Sequence, residues 1–189
     1  MMRIVFFGTP EIAVPSLERL IASRFEVVGV VSQPDRRRGR GRKVSPSPVS
    51  IVAERSGIPL FRPEEVVEVR DELSSLNADI GVVVAYGQFL PKPIRELPRL
   101  GYLINAHASV LPKYRGAAPI NHAILQGETS TGISVMRVDR EMDAGPVALV
   151  RETPIGENES AGELTDRLAR LAAEALEAGL EQIDAGSVR

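Results

Sequence analysis

Short apolar runs alternate along the chain with segments in which apolar residues recur every three or four positions. Uninterrupted apolar runs are typical of strands buried on both faces, and they predict strands at 3–7, 26–32, 59–61, 79–85 and 102–107. The helical spacing predicts helices at 12–21, 49–56, 63–76 and 119–126. Because strands alternate with helices, the sequence predicts an α/β fold with a mostly parallel sheet covered on both faces.

The pattern changes in the last third of the chain. Two apolar segments, 132–138 and 146–152, predict strands that are joined by a turn at 139–145. Ser160 and Glu163 have the spacing of a capping box in front of a long helix that ends near residue 183. The late pair of strands makes the central sheet mixed, and the helices on its two faces complete a Rossmann-like, three-layer architecture.

The composition limits the kinds of site that the chain can carry. Its 189 residues include no cysteine, which excludes disulfides and thiolate chemistry, and two histidines, which have no metal-site spacing. No run approaches the roughly 20 apolar residues of a membrane span, and the N-terminus does not resemble a signal peptide. We expect a cytoplasmic monomer that uses neither a metal ion nor a membrane.

One segment departs from the acidic balance of the chain. The net charge is −2, yet residues 35–43 hold six basic residues and one acid, so they carry +5 and the other 180 residues carry −7. Three prolines and two glycines within 33–48 predict a loop. A small positive element on an acidic body indicates a local anionic partner. Its basic residues are Arg36, Arg37, Arg38, Arg40, Arg42 and Lys43.

The strand predicted at 102–107 ends in polar residues. Asn105 and His107 are two positions apart, so a strand points both side chains to one face. They lie at the carboxyl end of the strand, where open α/β sheets hold their ligands. The competing interpretation is a strand end that turns into a loop with capped polar groups. The long segment that follows, 108–119, could form the wall of a cleft or an ordinary connection.

Acids in the late turn could orient a histidine. Asp139, Glu141 and Asp143 fall within this turn, and spacing alone does not choose among them or exclude a solvated turn. His122 lies off the apolar stripe of its predicted helix, which indicates a surface or rim position. The first turn, at Gly8, lacks the G-x-G-x-x-G pattern of dinucleotide sites.

Several motifs together resemble the formyltransferases that depend on 10-formyltetrahydrofolate. They are FGTPE at 7–11, YGQFLP at 86–91, NAHASVLPKYRGAAPI at 105–120 and DAGP at 143–146. The FGTP opening, the YRGAAPI run and the basic segment ending SPSPV at 45–49 resemble the methionyl-tRNA formyltransferases in particular. The resemblance covers essentially the whole chain, and it implies the Rossmann-like formyltransferase fold.

The resemblance also implies a role for each motif. Asn105, His107 and Asp143 match the catalytic residues of the family, which transfer a formyl group to the α-amine of methionyl-tRNA for translation initiation. Two segments match those that line the folate site, and they comprise Gln88, Phe89, Leu90, Ser109, Val110, Leu111 and Pro112. The basic residues between Arg36 and Lys43 match an insertion that contacts the acceptor end of the tRNA. The resemblance therefore implies folate and initiator tRNA as partners.

The family usually carries a second, C-terminal barrel domain. We expect residues 1–189 to be the catalytic domain, with the barrel absent from this chain. Three alternatives remain: a formyltransferase for an amino-nucleotide or amino-sugar nucleotide, a non-catalytic RNA-binding module, and a generic nucleotide-binding domain. The basic segment argues against the first, folate binding would exclude the second, and the missing glycine pattern disfavours the third.

Overall fold

The computed structural model describes residues 1–38 and 43–187. Within them, seven strands form a mixed sheet, and their order across it is Leu60–Phe61 (β5), Glu26–Val31 (β2), Arg3–Gly8 (β1), Ile80–Val84 (β6), Leu103–His107 (β7), Ser130–Arg137 (β8) and Val147–Pro154 (β9). The predicted α/β class and mostly parallel, mixed sheet are confirmed. The backbone divides into two compact units, residues 1–103 and residues 104–189.

The first unit is built on parallel strands made from the uninterrupted apolar runs. Strand β1 (Arg3–Gly8) lies between β2 (Glu26–Val31) and β6 (Ile80–Val84), and β2 also pairs with the short β5 (Leu60–Phe61). Ile4 is fully buried and lies opposite Val27 on one side and the fully buried Ile80 on the other. Each such side chain contributes about 1.5–3 kcal/mol by leaving water, which explains why these runs carry almost no polar residue.

Short helices follow the strands of the first unit. A 3-10 turn at Glu11–Ala13 leads into α1 (Val14–Ala22), whose Leu17 and Leu20 are fully buried. Helix α2 spans Pro48–Arg55. Helix α4 (Lys92–Arg95) was not predicted, because four residues that include a proline show no helical periodicity.

The helix predicted at 63–76 begins later than expected. A 3-10 turn at Val66–Val69 and helix α3 (Arg70–Ser75) are all that form. The Gln88 side chain binds the backbone where the helix should start: its oxygen accepts from the Val66 N–H at 3.0 Å, and its nitrogen donates to the carbonyls of Pro63 and Glu64. These hydrogen bonds hold the backbone at 63–66 outside the helix. They come from a residue distant in sequence, so the local spacing of apolar residues could not predict them.

The predicted loop at 33–48 is also partly wrong. Strands β3 (Arg36–Arg38) and β4 (Lys43–Ser45) pair in an antiparallel two-stranded sheet, with Arg36 opposite Ser45. The prediction of a loop rested on prolines and glycines. Neither paired strand contains one of these residues, so both strands can form backbone hydrogen bonds to each other. Arg40 and Arg42 lie outside the described residues.

A chain of buried hydroxyls begins where this segment leaves β2 and ends where it enters α2. Ser32, Ser47 and Ser50, the serine trio, are all fully buried. The hydroxyls of Ser32 and Ser47 are 2.6 Å apart, and Ser47 donates to the Ser50 hydroxyl at 2.9 Å. The Ser47 oxygen also accepts from the Ser50 N–H at 3.0 Å, which caps α2. All three hydroxyls are thereby satisfied inside the protein.

The second unit is antiparallel. Strand β8 (Ser130–Arg137) pairs with both β7 (Leu103–His107) and β9 (Val147–Pro154), and helix α6 (Ala161–Asp184) packs on β8 and β9. The predicted capping box is confirmed: the Ser160 oxygen accepts from the Glu163 N–H, and the Glu163 carboxylate accepts from the Ser160 N–H. Helix α5 (Pro119–Leu125) connects the strands, close to its predicted range.

Candidate active site

Asn105 and His107 lie at the carboxyl end of β7, as predicted. Antiparallel pairing places Asn105 opposite Met136 and His107 opposite Ser134 on β8. Alternation along the strand turns both side chains to one face of the sheet. His107 is 7% exposed, so its imidazole lies at the edge of the interior.

The late turn brings one acid, Asp143, to these two residues. Its Oδ1 accepts from Nδ2 of Asn105 at 3.4 Å, and its Oδ2 lies 3.4 Å from Nδ1 of His107. Oδ2 also accepts from the Gly116 N–H at 2.9 Å. The Asp143 side chain is 13% exposed. Asp143 therefore contacts both Asn105 and His107, and the three residues form the candidate catalytic trio of the described structure.

The other two acids of the turn do not join the trio. Asp139 accepts a hydrogen bond from the N–H of the adjacent Arg140, and Glu141 is exposed. Of the three carboxylates between which the spacing did not distinguish, Asp143 is the one that contacts His107 in the structure.

Gly145 explains how the turn holds Asp143 in place. A Cβ at this position would lie 2.0 Å from the Arg137 carbonyl oxygen, so only glycine lets the two backbones approach this closely. The Arg137 N–H donates to the Pro146 carbonyl at 2.9 Å and closes the turn. Asp143 itself has φ +49°, a left-handed conformation that aspartate tolerates better than most residues.

The second nitrogen of His107 is held by the backbone. Its Nε2 lies 2.7 Å from the Tyr114 carbonyl oxygen, which can only accept, so Nε2 carries a proton. In a neutral ring, Nδ1 would then present a lone pair to the Asp143 carboxylate. When the ring is protonated on both nitrogens, each nitrogen faces an acceptor.

The two backbone contacts to the trio come from one strained segment. Tyr114 (φ +54°) and Ala118 (φ +55°) are left-handed without being glycine, and Gly116 lies between them at φ +83°. Such conformations cost about 1–3 kcal/mol each and persist where the surroundings hold them, often at functional sites. The residue types did not predict these contacts, because almost every residue has a backbone carbonyl and an N–H. The only indication in the sequence was the KYRGAAP motif at 113–119.

The residues expected to line a folate site lie on two turns. In the first unit, Phe89 is 68% exposed and Leu90 is buried, while the Gln88 amide is engaged with the backbone at 63–66. In the second unit, the buried Ser109 donates to the Lys113 carbonyl at 2.6 Å, and the Leu111 N–H donates to Ser134. Val110 is partly buried and Pro112 is exposed. The Gln88 side chain therefore already serves the backbone at 63–66, and the Ser109 hydroxyl serves the turn that carries it.

Other expectations concern features at the surface. His122 is exposed, as predicted, and its ring stacks on that of Tyr114 with centroids 6.3 Å apart. In the part of the chain that the structure describes, no cluster of three or more His, Cys, Asp or Glu residues is arranged to hold a metal ion. None of the helices over the described ranges is both long enough and apolar enough to cross a membrane.

With this geometry in hand, comparison with known proteins decides the family. The sequence model of the family described as Formyl transferase matches residues 2–180. This chain belongs to the formyl transferase family. The turn that carries Asp143 and the strand that carries Asn105 and His107 both fall inside the matched region.

Curated relatives and a solved structure extend the match. A methionyl-tRNA formyltransferase of Clostridioides difficile is 48% identical over 98% of this chain, and one of Synechocystis sp. is 51% identical over 100%. The chain covers 60% and 58% of those two proteins, so it spans about three fifths of their length. A phosphoribosylglycinamide formyltransferase from Bacillus halodurans superposes with a TM-score of 0.80 at 20% identity, covering 96% of this chain and 94% of that one. The formyl transferase fold is thereby confirmed.

Proposed function

We propose that this chain transfers a formyl group from 10-formyltetrahydrofolate to the α-amine of methionyl-tRNA, and that residues 1–189 are the catalytic domain for that reaction. The observation that carries the proposal is the candidate catalytic trio, in which Asp143 meets the two polar residues at the end of β7. Asp143 lies 3.4 Å from both an amide donor and an imidazole, in a chain about half identical to proteins named methionyl-tRNA formyltransferase.

The trio has the chemistry that formyl transfer requires. The amine nitrogen attacks the formyl carbon, the carbonyl electrons move to its oxygen, and the attacking nitrogen must lose a proton. Asn105 has a second N–H besides the one directed to Asp143, and this N–H is a donor for the oxyanion. His107 takes up the amine proton at Nδ1 with Asp143 balancing the charge, and the Nδ1–H thus formed is a further donor to the oxyanion. Collapse of the intermediate breaks the bond to N10 of the folate, which receives this proton from His107.

Both reactants require binding surfaces beyond the trio. For the folate we propose the turns at 88–90 and 109–112, where the exposed Phe89 offers an apolar face. For the tRNA we propose Arg36, Arg37, Arg38, Arg40, Arg42 and Lys43, since arginine suits bidentate phosphate contacts. Their support is the concentration of charge in the sequence.

The decisive test is formyl transfer by the purified chain. It is incubated with 10-formyltetrahydrofolate and methionyl-tRNA, and formylmethionine is detected after deacylation. An N-acetylmethionyl-tRNA, whose amine is blocked, is the control. A formylated product from the free amine alone supports the proposal. Transfer to an amino-nucleotide or an amino-sugar nucleotide with none to methionyl-tRNA would replace it.

A separate experiment tests the basic segment. Arg40→Ala and Arg42→Ala should each raise the KM for methionyl-tRNA, lower the slope of affinity against salt by about one, and leave folate affinity unchanged. Arg170→Ala, an exposed arginine of α6, is the matched control. An unchanged KM and salt slope in all three variants would make the segment a solvated surface feature.

A further inference from the structure

Glu128 gathers three hydrogen bonds beside the strained segment that contacts the trio. Its Oε1 accepts from the Tyr114 hydroxyl at 2.7 Å and from Nζ of Lys113 at 2.9 Å, and its Oε2 accepts from the same Nζ at 3.1 Å. The hydrogen bond from Tyr114 and then the contact with Lys113 hold the pKa of Glu128 below its ordinary value. The same bond raises the pKa of the Tyr114 phenol. A carboxylate and a neutral phenol are therefore the favoured partners.

Glu128 is itself fixed at the end of a helix. Its N–H donates to the Ala123 carbonyl at 3.0 Å, just after α5. Its side chain is 25% exposed, whereas that of Lys113 is 63% exposed. An exposed ion pair contributes little, so the shorter bond to the Tyr114 hydroxyl is the stronger link. That bond and the stack on His122 hold the tyrosine ring from its tip and its face.

Holding the ring has a consequence for the backbone of the same residue. Tyr114 is left-handed at φ +54°, a conformation that needs external support. Its carbonyl lies 2.7 Å from Nε2 of His107, and the N–H of Gly116 lies 2.9 Å from Oδ2 of Asp143. A tyrosine that relaxed would move both backbone groups away from the trio.

We propose that Glu128 is a positioning residue for formyl transfer: by binding Tyr114 and Lys113, it fixes the backbone at 114–116 that orients His107 and Asp143. It acts through the segment and does not touch the reacting atoms. The inference rests on the proposed function for its kinetic consequence, but the orientation of His107 can be measured without any substrate.

The kinetic test compares Glu128→Gln, Tyr114→Phe and their double variant. Each single change should lower kcat about tenfold while the KM for each substrate changes less than about twofold. Glu128→Gln replaces a charged acceptor of this hydrogen bond by a neutral one, and Tyr114→Phe removes its donor. Because both changes act on the same link, the double variant should be no slower than the worse single variant. Glu159→Gln removes another hydrogen-bonded glutamate of the same unit, one bound to Arg167, and should leave kcat unchanged.

The structural test uses ¹⁵N NMR of the imidazoles, which is practicable because the chain has two histidines. The His107 resonances, assigned with His107→Ala, should shift in Glu128→Gln and Tyr114→Phe but not in Glu159→Gln. Shifts without any formyl transfer by the wild type would support positioning and refute the proposed function. His107 resonances that do not shift in these two variants would overturn the inference. If the wild type transfers formyl groups, an unchanged kcat in the two variants would overturn it as well.

Discussion

Two polar clusters lie at strand ends of this protein, and their hydrogen bonding differs. The serine trio is fully buried, neutral, and linked by contacts of 2.6–3.0 Å. In the candidate catalytic trio, Asp143 lies 3.4 Å from Nδ2 of Asn105 and from Nδ1 of His107, and Asn105 has a second amide N–H beyond its bond to Asp143. A closed neutral network stabilises the fold, whereas a trio that the backbone at 114–116 orients, with longer contacts between its members and a spare donor, can serve a reaction. Position at a strand end is common to both clusters and does not distinguish them.

Removing the imidazole should give the largest effect. His107→Ala should lower the rate of formyl transfer about 10²–10³-fold or more, since it deletes a donor to the oxyanion and the group that takes up the proton. The measurement is single-turnover transfer by a variant whose folding is verified by circular dichroism. His122→Ala, which removes the exposed histidine, is the control and should lose only a few-fold. Near-normal turnover by a folded His107→Ala variant would contradict a catalytic role for the cluster that contains His107.

Neutralising the acid of the candidate catalytic trio should give the next largest effect. Asp143→Asn keeps the shape and the left-handed backbone but removes the charge beside His107, so the rate should fall about 10²-fold. Asp139→Asn and Glu141→Gln change neighbouring acids that do not contact the trio and should stay near the wild-type rate. Equal losses in all three variants would mean that the turn contributes only a general negative potential.

The close approach at Gly145 should affect stability and activity together. Gly145→Ala places a Cβ 2.0 Å from the Arg137 carbonyl oxygen, so the turn must shift, at a cost of about 1–3 kcal/mol. Asp143 should shift with it and the rate should fall. Gly162→Ala is the control: its Cβ would have no neighbour closer than 3.9 Å, and it should stabilise α6. A Gly145→Ala variant with normal Tm and activity would contradict the role of the turn.

The serine trio should behave in the opposite way. Ser47→Ala leaves the Ser32 hydroxyl buried without its partner and removes the cap of α2, at a cost of about 1–3 kcal/mol. The Tm should fall while kcat stays unchanged. Ser75→Ala, which removes an exposed hydroxyl bonded to the Glu72 carbonyl, should change neither. A loss of kcat without a loss of Tm in Ser47→Ala would show that the two clusters are not separate in function.

The smallest effect concerns acid stability. Hydrogen bonds from Arg167 and from the Gly156 N–H hold the pKa of Glu159 below its ordinary value of about 4.5. A carboxyl whose pKa is lowered on folding contributes stability above its unfolded pKa, and this is lost as pH falls through the folded pKa. The difference in Tm between the wild type and Glu159→Gln should therefore be largest near neutral pH and shrink below pH 4.5. The exposed Glu174→Gln should show no such trend.

The apolar runs and side-chain types of the sequence predict the seven strands of the central sheet and the capping box, whereas strands β3 and β4 formed within a predicted loop. Asn105 and His107 follow from their spacing, whereas Asp143 was preferred to its two neighbours through family resemblance. The late start of α3 depends on Gln88, which reaches back from residue 88 to the backbone at 63–66. The hold of Tyr114 on His107 and of Gly116 on Asp143 depends on backbone atoms, which sequence patterns do not distinguish.

The coupling between substitutions at His107 and Asp143 shows whether these two residues act as one catalytic unit. The single-turnover rate of formyl transfer is measured for His107→Ala, Asp143→Asn and the double variant, with the pair His107→Ala and Ser47→Ala as the reference. Residues that act as one catalytic unit are strongly non-additive. The account predicts that Asp143→Asn slows the His107→Ala variant less than about threefold, although it slows the wild type about 10²-fold. Losses that multiply in the double variant would contradict it, because the acid would then act independently of the histidine.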